Sequence, residues 1–160
     1  MTDLAWIVEA KKYLGTKEIP GVNHHPLILR MWKAIKRGGI QDDETPWCAA
    51  FVGFCLENVD IVSSRFESAK SYMSWGQFLG EPVYGCIAVF TREGGGHVGF
   101  CVGQTQNGDL LILGGNQGNE VNIRAFPRAR ASAYRWPTML PLPHAGLDFM
   151  SSAPASLSEA

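Results

Sequence analysis

An excess of either charge is missing from this chain. Its 160 residues carry 14 basic and 15 acidic side chains, for a formal net charge of −1. So even a balance leaves no electrostatic footprint for a polyanion, and neither nucleic acid nor an anionic membrane surface is an expected partner. Long apolar runs are missing too, since no stretch approaches the length that crosses a bilayer, and no membrane insertion is expected. Met1-Thr2-Asp3-Leu4 is not the basic segment plus apolar run of a secretory signal, so synthesis in the cytoplasm is expected. Action in the periplasm or cell wall would then require release or injection by other machinery. Cysteine is sparse, at positions 48, 55, 86 and 101. No pair has C-x-x-C spacing and no two histidines stand four residues apart, so no metal site and no cofactor are expected. Cytoplasmic synthesis argues against disulfides. The plainest reading of Cys55, Cys86 and Cys101 is as small buried apolar side chains.

What is present is ordinary globular material. Apolar residues at 46 % against 18 % charged suffice for one core, expected in a single monomeric domain over residues 1–144. From Ala145 to Ala160 the chain turns to Ser, Ala and Pro with little to bury, and a flexible tail is expected there.

Helical signals come first along the chain. Thr2 or Asp3 can cap a helix running to about Leu14, with Gly15 as its stop. Pro26 suits the first position of a second helix reaching about Lys36, in which Ile28, Met31, Trp32 and Ile35 follow helical spacing and Gly38-Gly39 end the run. In a third, Thr45 is the cap and Cys48 the third helical position, with Cys48, Phe51, Val52, Cys55 and Val59 on one stripe. A short fourth helix fits Ser68 to Trp75, closed by Gly76. The period then changes from helical to alternating. Strands are expected at Cys86–Thr91, His97–Gly103 and Leu110–Leu113, with Asn107-Gly108 as a two-residue hairpin turn, and further strands at Val121–Phe126 and Ala133–Trp136. Helices followed by an antiparallel sheet make an α+β fold, with N-terminal helices packed on the sheet.

Cys48 stands where the first turn of a helix offers unpaired N–H groups and partial positive charge, the setting that favours a thiolate. On the helix pattern alone, a core cysteine continuing the stripe is at least as good a reading. His97 follows Gly94-Gly95-Gly96 and enters a strand in which Val98, Phe100 and Val102 face one way. The other face carries His97 with small residues, leaving room for a ligand. A histidine entering a sheet and a cysteine starting a helix against it form the pair that thiol activation needs. Asn116, in Gly114-Gly115-Asn116-Gln117-Gly118, is either a turn residue among glycines or the group that orients the imidazole. With a two-residue turn at Asn107-Gly108, His97 lies opposite Gly118. Asn116 then becomes its same-face diagonal neighbour, while Gln117 points the other way.

Trp47-Cys48-Ala49-Ala50-Phe51-Val52, Gly96-His97-Val98-Gly99 and Gly114-Gly115-Asn116-Gln117 together resemble the successive motifs of NlpC/P60 and CHAP cysteine peptidases. Leu14-Gly15…Glu18-Ile19-Pro20-Gly21 and Ser71-Tyr72…Trp75-Gly76 are similar to a phage-associated subgroup. The resemblance runs from about Leu4 to Pro137. It implies a papain-like fold and metal-free hydrolysis of peptidoglycan amide bonds, with Cys48 as nucleophile, His97 as base and Asn116 as orienting residue. Many relatives have Gly-Asp where this chain has Gly85-Cys86, which removes any acidic role at that place.

The Cys48 backbone N–H is the natural first oxyanion donor. Gln41 and Trp47 are candidates for the second, and Gln117 for substrate or oxyanion contact. Glu18 is equally readable as a loop residue or as one facing the cleft. Trp6, Trp32, Trp75 and Trp136 read as core. A phage endolysin is the setting the resemblance favours, ahead of a tail enzyme or an injected toxin. Two other classes stay open: a thiol acyltransferase or protein deamidase on the same fold, and a non-catalytic wall-binding tail component.

Overall fold

The computed structural model describes residues 3–19, 24–40, 46–92 and 95–143. The expected tail from Ala145, Gln41 and the Thr45 cap fall outside the described residues. Among the described residues the fold is α+β, three α-helices followed by a six-stranded antiparallel sheet.

Helix α1 spans Ala5–Lys11, shorter than expected. The amides of Lys12, Tyr13 and Leu14 bond to carbonyls three residues back, so the last turn tightens before Gly15 at φ 93°. Its cap position is Leu4, without a side-chain cap; Asp3 instead accepts from the Leu4 amide at 2.8 Å. Helix α2 spans Pro26–Ala34 with Pro26 at its start and His25 Nδ1 accepting from the Leu27 amide at 3.1 Å. Its end comes before the two glycines. Lys36 turns left-handed at φ 65° and the Arg37 amide donates to the Trp32 carbonyl at 2.8 Å, closing a Schellman motif without glycine.

Helix α3 spans Cys48–Glu57, so Cys48 is the first helical residue rather than the third, and Trp47 is the half-in residue before it. Every residue from Cys48 to Leu56 is buried, not one stripe. Two layers explain this: α1 and α2 pack on one side of α3 and the sheet on the other. The small residues permit it, since a Cβ on Gly53 would collide with the Ile35 side chain. Against the sheet, the Phe51 ring meets Phe100 edge-on at 6.3 Å. A 3-10 helix, Ala69–Ser74, is capped by the Ser68 hydroxyl accepting from the Lys70 amide.

The strands are β1 (Gln77–Leu79), β2 (Ile87–Arg92), β3 (Gly95–Gln104), β4 (Leu110–Gly114), β5 (Asn122–Phe126) and β6 (Ala131–Trp136). Their order is β1-β6-β2-β3-β4-β5. β1 escapes the alternation signal because three residues on a sheet edge are too few to show a period.

The β3–β4 hairpin departs from the expected turn. Thr105 and Asp109 are joined by an amide-to-carbonyl bond of 2.8 Å. Three residues therefore make the turn, with Gly108 at φ 88°. A second irregularity lies between Cys101 and Gly103. As a result Phe100 faces Leu113, where the two-residue turn would have set Gly115. β4 ends at Gly114, so no strand residue on that side lies opposite His97.

Candidate active site

Cys48 opens α3 with its residue only 6 % exposed. The first helical bond runs from the Phe51 amide to the Trp47 carbonyl at 3.0 Å. The amides of Cys48, Ala49 and Ala50 therefore have no acceptor inside the helix, and they concentrate partial positive charge at the thiol's end. Cys55 and Cys86 lie inside the core. Burial pushes both thiols well above the ordinary cysteine range, and at Cys86 a hydrogen bond with the Cys101 thiol adds to it. Cys55, Cys86 and Cys101 are fully buried, as expected of small core side chains.

His97 lies near the start of β3, register partner of Phe90. The open approach expected beside it is closed. His97 is 3 % exposed, and its ring stacks on Phe126, centroids 5.3 Å apart and planes 14° apart, with Phe90 6.3 Å away. The space over Gly99, two residues along, is taken by β4, since a Cβ there would collide with the Ile112 side chain.

The imidazole's hydrogen bond comes from a residue other than the one the hairpin register selects. Gln117 Oε1 lies 2.9 Å from His97 Nε2. Gln117 is fully buried, and its Nε2 faces the Ile112 carbonyl at 3.1 Å, the Asn122 carbonyl at 3.0 Å and Asn122 Oδ1 at 2.9 Å. Asn122 Nδ2 returns a bond to the Gln117 carbonyl at 2.8 Å. Three oxygens around the NH2 group fix the carboxamide, because a flip would set Oε1 against all of them. Oε1 must then accept, His97 Nε2 must carry the proton, and the neutral ring's lone pair sits on Nδ1.

Asn116 makes no such bond. It sits just past the strand at φ 60°, where period-two alternation no longer applies. Its Oδ1 is buried without a hydrogen-bond partner among the described residues. Of the two readings of Asn116, the turn reading describes its backbone. Gln117, expected to point away from His97, is the residue against it.

Adjacent glycines carry this loop past both candidate groups. A Cβ on Gly114 would lie 3.3 Å from His97 Nε2. One on Gly115 would lie 2.7 Å from both Phe51 Cβ and the Trp47 ring, three residues after Cys48 and one before it. The His97 ring and the start of α3 are thus held against neighbouring residues of one loop.

Trp47 is fully buried and its indole N–H donates to Glu18 Oε1 at 2.7 Å. Its ring therefore cannot line a groove, and its indole N–H is already engaged rather than aimed at an oxyanion. Glu18 is a loop residue that reaches the site's edge, and its amide donates to the Asn119 carbonyl at 3.0 Å. It links the start of α3 to the loop that holds Gln117. Trp6, Trp32 and Trp136 are buried, and Trp75 is partly so, its indole donating to the Val62 carbonyl. Among the described residues no group of three His, Cys, Asp or Glu side chains is placed to hold a metal ion, and no helix is long and apolar enough to cross a membrane. Comparison with family models and with curated proteins returns no match.

Proposed function

We propose that this chain is a papain-like cysteine amidohydrolase that cuts an amide bond of bacterial peptidoglycan. Cys48 is the nucleophile, His97 the base and Gln117 the residue that orients the imidazole. The observation that carries the reading is the locked Gln117 carboxamide 2.9 Å from His97 Nε2. It leaves the basic lone pair on Nδ1, as a thiol-activating histidine requires. The layering of a helix that starts at the cysteine against a sheet that carries the histidine is consistent with a papain-like fold.

In this mechanism His97 Nδ1 takes the Cys48 proton and the thiolate attacks the scissile carbonyl carbon. The oxyanion gathers on the Cys48 amide at the start of α3. The imidazolium returns its proton to the leaving amine, which departs as the acyl-enzyme forms, and water then releases the acid by the reverse roles. The substrate is a stem-peptide bond or the muramoyl–L-alanine amide. The enzyme works as a monomer and reaches the periplasm or cell wall after release or injection, in the manner of a phage endolysin.

Purified sacculi treated with the wild-type protein should release free amino groups, and mass spectrometry of the new termini identifies the bond. Cys48→Ala should release none while keeping the wild-type melting temperature within a few degrees. Wall binding without cleavage, or cleavage by a folded Cys48→Ala protein, would overturn the reading.

A further inference from the structure

Asn116 is costly where it stands. Its φ of 60° is the left-handed conformation, which asparagine enters more readily than other residues with a Cβ, so the cost lies in its side chain. It is 7 % exposed, and its Oδ1 is buried without a hydrogen-bond partner among the described residues. A buried carbonyl left unpaired reduces stability. A buried polar atom left unpaired at one residue is the pattern of a site kept for a ligand. The position fits: Gly115, one residue before it, abuts Trp47 and Phe51 on either side of Cys48, and Gln117, one residue after, bonds His97.

We infer that Asn116 binds the substrate's peptide group, its Oδ1 accepting an amide N–H next to the bond that Cys48 attacks. This rests on the amidohydrolase reading and names what that site recognises. The unpaired atom is an acceptor, so the group it takes is a donor. A carboxamide suits the place because it is uncharged and does not oppose the thiolate, whereas a carboxylate would. The specificity that follows is for secondary amides. Esters and N-alkylated amides lack the N–H and leave Oδ1 unpaired in the complex, so they should be poor substrates.

The test uses Asn116→Gly, which keeps the backbone conformation and removes the carboxamide. Its melting temperature should equal or exceed that of the wild type, while kcat/KM on soluble peptidoglycan fragments falls about tenfold or more. A second readout does not need hydrolysis. The rate at which Cys48 is modified is followed by peptide mass mapping with iodoacetamide, which carries amide N–H groups, and with methyl methanethiosulfonate, which carries none. Asn116→Gly should slow the first and leave the second unchanged. If the wild type cuts no peptidoglycan but this selectivity is lost, the substrate reading fails and the amide-binding role stands. If hydrolysis and the ratio of the two rates are both as in the wild type, the inference about Asn116 fails and the amidohydrolase reading stands. A lowered melting temperature with both reagents slowed equally would assign Asn116 a structural role and overturn the inference.

Discussion

Replacing Gln117 by leucine keeps the bulk of the side chain and deletes its hydrogen bonds. His97 Nε2–H, 2.9 Å from Gln117 Oε1, loses its acceptor in a residue that is only 3 % exposed. Asn122 Oδ1 and the Asn122 and Ile112 carbonyls lose the amide that lies within 3.1 Å of each. The Ile112 carbonyl lies within the sheet, flanked by Cys101 and Arg124, so most of the loss falls on the histidine and on Asn122. At about 1–3 kcal/mol for the buried histidine and about 1 kcal/mol for the half-buried Asn122, the total is about 2–4 kcal/mol. That corresponds to roughly 5–15 °C in melting temperature for a domain of this size. The effect on rate is separate. In the proposed mechanism, a hydrogen bond to the imidazolium is worth about 1.5–3 kcal/mol, which is roughly tenfold to a hundredfold in kcat. KM should change little, because Gln117 is fully buried and, on the proposed mechanism, holds the base rather than the substrate. Steady-state kinetics on soluble fragments and thermal denaturation give the two numbers. The 15N spectrum of the histidines gives the tautomer, with the neutral His97 ring protonated at Nε2 in the wild type. A Gln117→Leu protein with unchanged kcat, or a wild-type ring protonated at Nδ1, would refute the reasoning.

Gly115→Ala introduces a Cβ 2.7 Å from Phe51 Cβ and from the Trp47 ring. It should lower stability by about 1–3 kcal/mol and slow turnover by pushing the loop off the start of α3; a neutral effect on both, measured together, would show that the contact yields freely. Glu18→Ala leaves the buried Trp47 N–H, now 2.7 Å from Glu18 Oε1, without that acceptor. The expected loss is about 1–3 kcal/mol in chemical denaturation, and Glu18→Gln, which keeps an acceptor, should recover most of it. Glu57 supplies the pH test. Burial raises its pKa, but the Arg65 guanidinium at 2.9 Å and the Ser63 amide and hydroxyl outweigh it, so the folded carboxyl titrates below its ordinary 4.5. A depressed folded pKa contributes stability that is complete above the unfolded value and lost as pH falls through the folded one. Melting temperature should therefore fall on acidification below 4.5, and fall less steeply in Glu57→Gln. Equal slopes for the two proteins would deny Glu57 a share.

Several features of the fold are legible because they repeat locally. Pro26 and the Ile28, Met31, Trp32, Ile35 spacing locate α2, and β2 to β4 follow from alternation to within two residues at each end. The all-round burial of α3 is not legible. A helix reads as a stripe when one neighbour covers it, and nothing local reveals that α1 and α2 cover the other side. Within the site, Cys48 and His97 can be singled out because each sits at the start of an element, where helix and strand rules still apply. Gln117 cannot, because the rule that would place it stops three residues earlier. Alternation holds only while the backbone is extended, and β4 ends at Gly114. Asn116 and Gly118 then both take positive φ, 60° and 65°. A left-handed residue reverses the chain's local hand, so the parity that would put Asn116 beside His97 and turn Gln117 away no longer applies. A signal was present in the composition: Asn between glycines is a turn residue before it is anything else. Ending the strand on that ground leaves Gln117, the polar side chain next along, long enough to reach back to the ring while its amide bridges to Ile112 and Asn122.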